Sequence, residues 1–286
     1  MMRKKVITIA IVAVAIIILS ISAFTAIGNE YFANRENQAY DACVPTVEFS
    51  TIRVWEKFYN ESGDYVELDL VLPVLSGDYA GIPQINEFFL GRVQHFCDEL
   101  DFETYLRDLD EIRIEHPNDI VYNGLSSNLG REARYMLGAS FGNVISISAE
   151  LDGGMGGVSW SGAEGHTFDL DTGKRLGLSD IFAVTEEQYM SLIYDHVSRE
   201  IAESMLDSSE LGHEEHNMYL FDDPYSGAGY DSIRQFDQND FFLQETSLVV
   251  FYPKYALAPG FAGMTLNYFY IPYSEIEDML AINLTG

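Results

Sequence analysis

The chain has 286 residues, 47% hydrophobic and 13% aromatic, enough apolar surface for one large domain or two small ones and too much for a disordered acidic tail. Its 45 acidic residues against 16 basic give a formal net charge of -29, and three of the basic residues, Arg3, Lys4 and Lys5, stand at the very start. The remainder of the chain repels nucleic acid and anionic lipid and attracts cations and basic proteins, although solubility outside a cell explains the acidity equally well.

Residues 6–27, VITIAIVAVAIIILSISAFTAI, carry no charge. As a helix this run spans about 33 Å, enough for the hydrocarbon core of a bilayer and longer than the core of a signal peptide. It is read as an uncleaved anchor within residues 1–28, with the basic start in the cytoplasm and the acidic body outside. Ser20-Ile21-Ser22 keeps cleavage and secretion open. Residues 29–45 are polar and aperiodic, a linker.

A small α+β domain is predicted over 46–118. Strand patterns start near Val47, and VELDLVL (66–72) alternates apolar and acidic residues as a half-buried strand does. SGDYAGIP breaks that pattern, and a helix follows with Pro83 in its first turn and Ile85, Phe89, Val93, Phe96 and Leu100 on one stripe, continuing through Tyr105 to Ile112. Cys43 in the linker and Cys97 on this helix are the only cysteines. Outside the cell they can form one disulfide, but spacing does not fix the distance between them, and a buried thiol suits Cys97 equally well.

A larger α+β domain is predicted over 119–286. VISISAEL (144–151) reads as a strand, and the glycine-rich DGGMGGVSWSGAEG as a loop with Trp160 in its middle. His166–Leu170, an Asp171-Thr172-Gly173 turn and a run from Leu176 to Phe182 give a hairpin signal. Thr185-x-x-Gln188 has the capping-box pattern and opens a helix with Tyr189, Leu192, Ile193, Val197, Ile201 and Met205 on its stripe. Residues 207–242 are acidic and turn-rich, a long surface loop. SLVVFYP (247–253) and TLNYFYI (265–271) read as strands, and Ser274-x-x-Glu277 as the cap of a short last helix. The fold class that results is α+β, antiparallel sheets packed with a few helices, behind one N-terminal transmembrane helix.

Candidate chemistry is thin. His166 has only Glu164 within reach on its own strand face, which suits a hydrogen-bonded structural histidine. Asp169-Leu170-Asp171-Thr172-Gly173 begins like a calcium loop but lacks the closing glutamate, and Asp and Gly are what a tight turn wants. His213 and His216 are three apart, not the four of H-E-x-x-H. No nucleophile elbow, phosphate loop or dinucleotide fingerprint is present, so no catalytic residue, metal or cofactor is assigned. Trp160 suits stacking on a sugar or anchoring a protein partner, or else core packing.

Four stretches carry a family likeness: GGMGG (153–157), TFDLDTGKRLGLSDIF (167–182), FFLQETSLVVFYPKYALAPGFAG (241–263) and IPYSEIEDML (271–280). With them, residues 46–280 resemble the extracytoplasmic domain of RsiV-type anti-sigma factors, found also beside peptidoglycan deacetylase domains of Gram-positive bacteria. The resemblance implies a hairpin scaffold at 162–182 and an outward-facing domain, and lysozyme as a ligand, since the RsiV-type member binds it. Met155 and Gly156 stand where the family tends to have Ala-His. With only MMRKK ahead of the apolar run and no deacetylase part, ligand binding is expected to carry over without signalling or catalysis. The expected protein is therefore an envelope-anchored binding module for lysozyme or another basic wall hydrolase. Its expected contacts are Trp160, Tyr252, Pro253, Tyr255, Pro259 and Phe261, in the 153–162 and 252–263 loops. The alternatives are a cell-wall glycan-binding module, with Trp160 and the tyrosines stacking on sugars, and, behind it, a wall-acting hydrolase.

Overall fold

A computed structural model describes residues 46–59, 65–99, 129–155, 158–210, 223–253, 256–257 and 267–282, together with 107, 111, 114 and 115. The anchor run, the linker, Cys43 and the continuation of the first helix to Ile112 lie outside or largely outside these residues. Among the described residues no helix is long and apolar enough to cross a membrane. The chain is mixed α+β. One sheet has the order β1-β2-β3-β4-β5-β6 and a second the order β7-β8-β9. It divides into two compact units, the first drawing on residues up to Tyr135 plus 152–159 and 169–174, the second on the remainder.

In the first unit β1 (Val47–Tyr59) and β2 (Tyr65–Gly77) pair antiparallel along their whole length, Val47 opposite Gly77 and Tyr59 opposite Tyr65. The expected alternation holds: Val66, Leu68, Leu70 and Leu72 are buried, while Glu67 and Asp69 point to the other face and pair with Lys57 and Arg53. The buried face receives α1 (Ile82–Glu99), whose stripe Ile85, Phe89, Val93 and Phe96 is 0–2% exposed. The ring of Phe89 meets that of Tyr135 edge-on at 5.2 Å.

The pairing of β2 with β3 (Leu129–Phe141) is parallel, Val66 opposite Leu129 through Val71 opposite Arg134, a departure from the all-antiparallel expectation. A parallel neighbour needs a long crossover, and α1 lies in it. Because this ladder stops at Val71, the rest of that β2 edge needs other partners. At Leu75 the buried Asn86 of α1 supplies both: its Oδ1 accepts from the Leu75 N–H and its Nδ2 donates to the Leu75 carbonyl, each at 2.9 Å.

The Asp-Thr-Gly segment belongs to this unit and is a turn, as its residue types predict. Asp169 Oδ1 accepts from the backbone N–H and the hydroxyl of Thr172, both at 2.7 Å. Gly173 has φ +70°, the left-handed region. A Cβ there would stand 2.7 Å from Gln84 Cβ and 2.8 Å from the Gly81 carbonyl, so the turn lies against the start of α1. It is scaffold.

β4 (Val144–Met155) and β5 (Val158–Asp169) are long strands, of which 144–151 and 160–168 belong to the second unit, and the glycine-rich stretch expected to be a loop runs largely within them. Two glycines, Gly165 in β5 and Gly138 in β3, serve close approach. A Cβ at Gly165 would lie 1.8 Å from the Phe241 carbonyl oxygen, and one at Gly138 would lie 2.4 Å from that of Leu243. The short strand β7 (Phe241–Leu243) thus passes directly over two bare backbones. Ser146 completes the contact, its hydroxyl accepting from the Leu243 N–H at 2.8 Å and lying 2.9 Å from the Thr167 hydroxyl.

The expected second arm of the 162–182 hairpin is only two residues long, β6 (Arg175–Leu176). Gly177 then opens a helical turn, α2 (Leu178–Ile181), with Asp180 Oδ2 accepting the Gly177 N–H at 3.0 Å. The local cap turns Leu178 and Ile181 inward together and overrides the alternating pattern. The capping box before α3 (Glu186–Glu210) forms as read: the Gln188 side chain accepts from the Thr185 N–H at 3.1 Å. The turn-rich stretch after it holds α4 (Gly227–Ile233), a helix where loop was expected.

Strand β8 (Ser247–Tyr252) is central to its sheet and buried at all six positions, which explains its unbroken apolar run. Leu248, Val250 and Tyr252 join Ile193, Val197 and Ile201 of α3 in the main core, while Val249 and Phe251 form a smaller cluster with Phe242. After β9 (Asn267–Pro272) comes α5 (Tyr273–Ile276), followed by a 3-10 turn at Glu277–Met279. Ser274 lies inside α5 and does not cap it; Pro272 is the preceding residue and gives no side-chain bond.

Candidate ligand-binding surfaces

The expected contact residues scatter in the fold. Tyr252 is a core ring, 1% exposed, with its hydroxyl donated to the Ile233 carbonyl at 2.8 Å and Phe236 and Phe269 packed beside it. Removal from solvent takes it out of any contact surface. Pro253 follows it and is exposed. Tyr255, Pro259 and Phe261 lie outside the described residues. Trp160 is a strand residue of β5, of which only the backbone is described. Cys97 is half-buried on α1, its thiol pushed up to about 11 by burial and by Asp98. That keeps it a thiol at neutral pH.

Two buried histidines, His166 and His196, are each held by carboxylates. His166 is buried, with Nε2 2.9 Å from Glu164 Oε2, the partner expected from the strand face. His213 and His216 lie outside the described residues. His196, on α3, is not singled out by the sequence, because one of its partners, Glu275, lies 79 positions away. Its Nε2 is 2.9 Å from Glu200, and its Nδ1 is 3.3 Å from Glu275 of α5 and 2.8 Å from Arg199. Burial lowers the His196 pKa, but the two carboxylates outweigh it and carry the value above the ordinary one. Arg199 donates to Glu275 at 2.8 Å and holds that carboxyl below the usual range. The four side chains join α3 to α5 and satisfy one another. Among the described residues no group of three or more His, Cys, Asp or Glu is placed to hold a metal.

In the second unit an open cleft of about 660 Å³ runs between Gly177–Ser179 and Gln235–Asn239. Its floor is fixed by Gln238, which accepts from the Tyr189 hydroxyl at 3.0 Å and donates to Glu186 at 2.6 Å. Asp237 is occupied locally, its Oδ1 accepting from the Asn239 N–H at 2.9 Å. Next to the cleft, burial and the neighbouring Asp237 raise the Asp240 carboxyl to about 6, with Arg175 opposing. At neutral pH the Asp240 carboxylate is charged but under-solvated, an arrangement that gains from an incoming cation.

The first unit presents a different surface. Trp55 and Tyr59 are 51% and 52% exposed on β1. They escaped the sequence analysis because a strand pattern alone does not tell which face is open to solvent.

Residues 179–274 match the model of a family described as protein of unknown function, DUF3298, so the chain carries a DUF3298 domain. It resembles in fold the crystal structure of a DUF3298 family member from Bacteroides fragilis NCTC 9343, with a TM-score of 0.58 and 17% identity over 84% of this chain and 96% of that one. A DUF3298 family protein from Pseudomonas aeruginosa PAO1 is similar at a TM-score of 0.52 and 12% identity, over 84% of this chain and 97% of that one. At such identities the likeness is one of fold. No curated protein matches the chain.

Proposed function

We propose that the protein is a binding module of the bacterial envelope, anchored by residues 6–27 with the acidic body that follows them outside, and that its ligand is a basic protein such as lysozyme or another basic wall hydrolase. The observation that carries this reading is the net charge of -29, which steers a cationic partner and speeds encounter. The motif likeness to RsiV-type anti-sigma factors supports the same ligand. The proposed contacts are the cleft beside Asp237 and Asp240, which suits a lysine or arginine side chain, and Trp160, Pro253, Tyr255, Pro259 and Phe261.

The test is binding of the full chain, in detergent, to lysozyme at low and at physiological salt, with lytic activity followed in parallel. Saturable binding that weakens as salt rises, and weakens again in the Asp237→Asn/Asp240→Asn double variant, is the expected result. Failure to bind at either salt ends the reading.

A further inference from the structure

We propose that the exposed face of β1, β2 and β3 in the first unit is a binding site for an uncharged glycan chain. The inference rests on that unit alone and is independent of the basic-protein reading.

Trp55 and Tyr59 are four residues apart on one strand, so they share a face and stand about 13 Å apart along it. Tyr65 lies directly across from Tyr59 in the register, with ring centroids 5.7 Å apart. The rings are held rather than loose. Glu67 accepts the Trp55 Nε1–H at 2.5 Å and an ion pair from Lys57 at 3.2 Å. The Lys57 ammonium lies 5.5 Å from the Trp55 ring and 4.1 Å from that of Tyr65. Arg53 makes a two-point fork on Asp69, Nε at 2.7 Å and Nη2 at 2.6 Å. Arg134 pairs with Glu132, which stands beside Asp69 in the β2–β3 ladder.

Charge decides the ligand class. These three cations are matched by three carboxylates, so the face is neutral in a chain of -29. An ionic partner of either sign gains little there. A protein interface wants its aromatic anchors in a centre depleted of charge, whereas here three ion pairs lie among the rings and would have to be desolvated. A sugar chain meets both demands. Its axial C–H groups carry the partial positive charge that the negative face of an aromatic ring attracts, and its hydroxyls hydrogen-bond to carboxylate and guanidinium in place of water.

The chain has two tryptophans, so Trp160→Phe leaves Trp55 as its one indole reporter. That full-chain variant, in a sugar-free detergent, is titrated with the N-acetylglucosamine tetramer and with cellotetraose. A saturable change in tryptophan emission, little altered by salt, is expected with at least one of them. Calorimetry should then show affinity falling about tenfold or more in Trp55→Ala and in Tyr59→Ala, with Trp55→Phe retaining part of it. Both side chains are half-exposed, so the thermal transition should stay in place, and either variant serves if the other fails to fold. No saturable response to either sugar at millimolar concentration overturns the proposal. So does a response that collapses with salt, or one that survives both alanine variants. Loss of lysozyme binding in Trp55→Ala without any sugar response would reassign the face to a protein partner.

Discussion

Strands β2 and β8 are the spines of their units, and they handle polar groups in opposite ways. β2 buries one face and sends Glu67 and Asp69 out into ion pairs on the other, leaving a backbone deficit at Leu75 to the side chain of Asn86. β8 is buried on both sides and carries no charge at all. The polar groups of its unit instead sit at the close approach of β7, where Ser146 and Thr167 meet the backbone between glycines. The first unit therefore tolerates change on its outer face and the second is intolerant at its inner seams.

The largest effect should come from the seam. In Gly165→Val the new side chain has no space beneath the Phe241 carbonyl, and strand β7 must lift away. A loss of about 3 kcal/mol or more is expected, seen as a fall in the denaturant midpoint or as failure to fold. If the variant melts like the parent, the seam does not organise the second unit. Asn86→Ala, the matching test of the first unit, leaves a buried N–H and C=O without partners. It should cost about 2–4 kcal/mol in chemical denaturation, and a loss below about 1 would mean that water replaces the amide.

The smallest and most specific effect concerns Asp240. Its folded pKa of about 6 lies above the ordinary 3.8, so the folded state favours the protonated form. The stability this contributes is present below about pH 4 and is lost as pH rises through 6. Asp240→Asn should match the parent at acidic pH and exceed it by about 1 kcal/mol at neutral pH, after screening by solvent. Melting curves across pH 4–8 that run parallel for the two proteins would show that the carboxyl is well solvated.

Periodic elements were legible where one force dominates. The acid–apolar alternation of VELDLVL, the α1 stripe, the Thr185–Gln188 box and the unbroken SLVVFY run each report a single local cause. The misreadings arose where tertiary contact reassigns a local signal. Gly165 reads as part of a glycine-rich loop but answers to the Phe241 carbonyl. Leu176–Phe182 alternates like a strand, yet the Gly177–Asp180 cap bends it into a helical turn. The parallel pairing of β2 and β3 depends on a ladder that no local pattern encodes. The surfaces were less legible still. Tyr252 has the composition of an interface anchor but lies in the core, while Trp55 owes its exposure to a strand whose far face does the packing.

The turn at Asp169–Gly173 bears on how the protein is made. The first unit recruits residues 169–174, which come more than thirty positions after its main segment ends at Tyr135. A ribosome delivering the chain from its N-terminus releases β1, β2 and α1 early, but the piece that lies against the start of α1 emerges only after β4 and β5. The first unit is thus complete only once residue 174 has been made, and a nascent chain halted at residue 135 holds an unfinished body with apolar surface still uncovered.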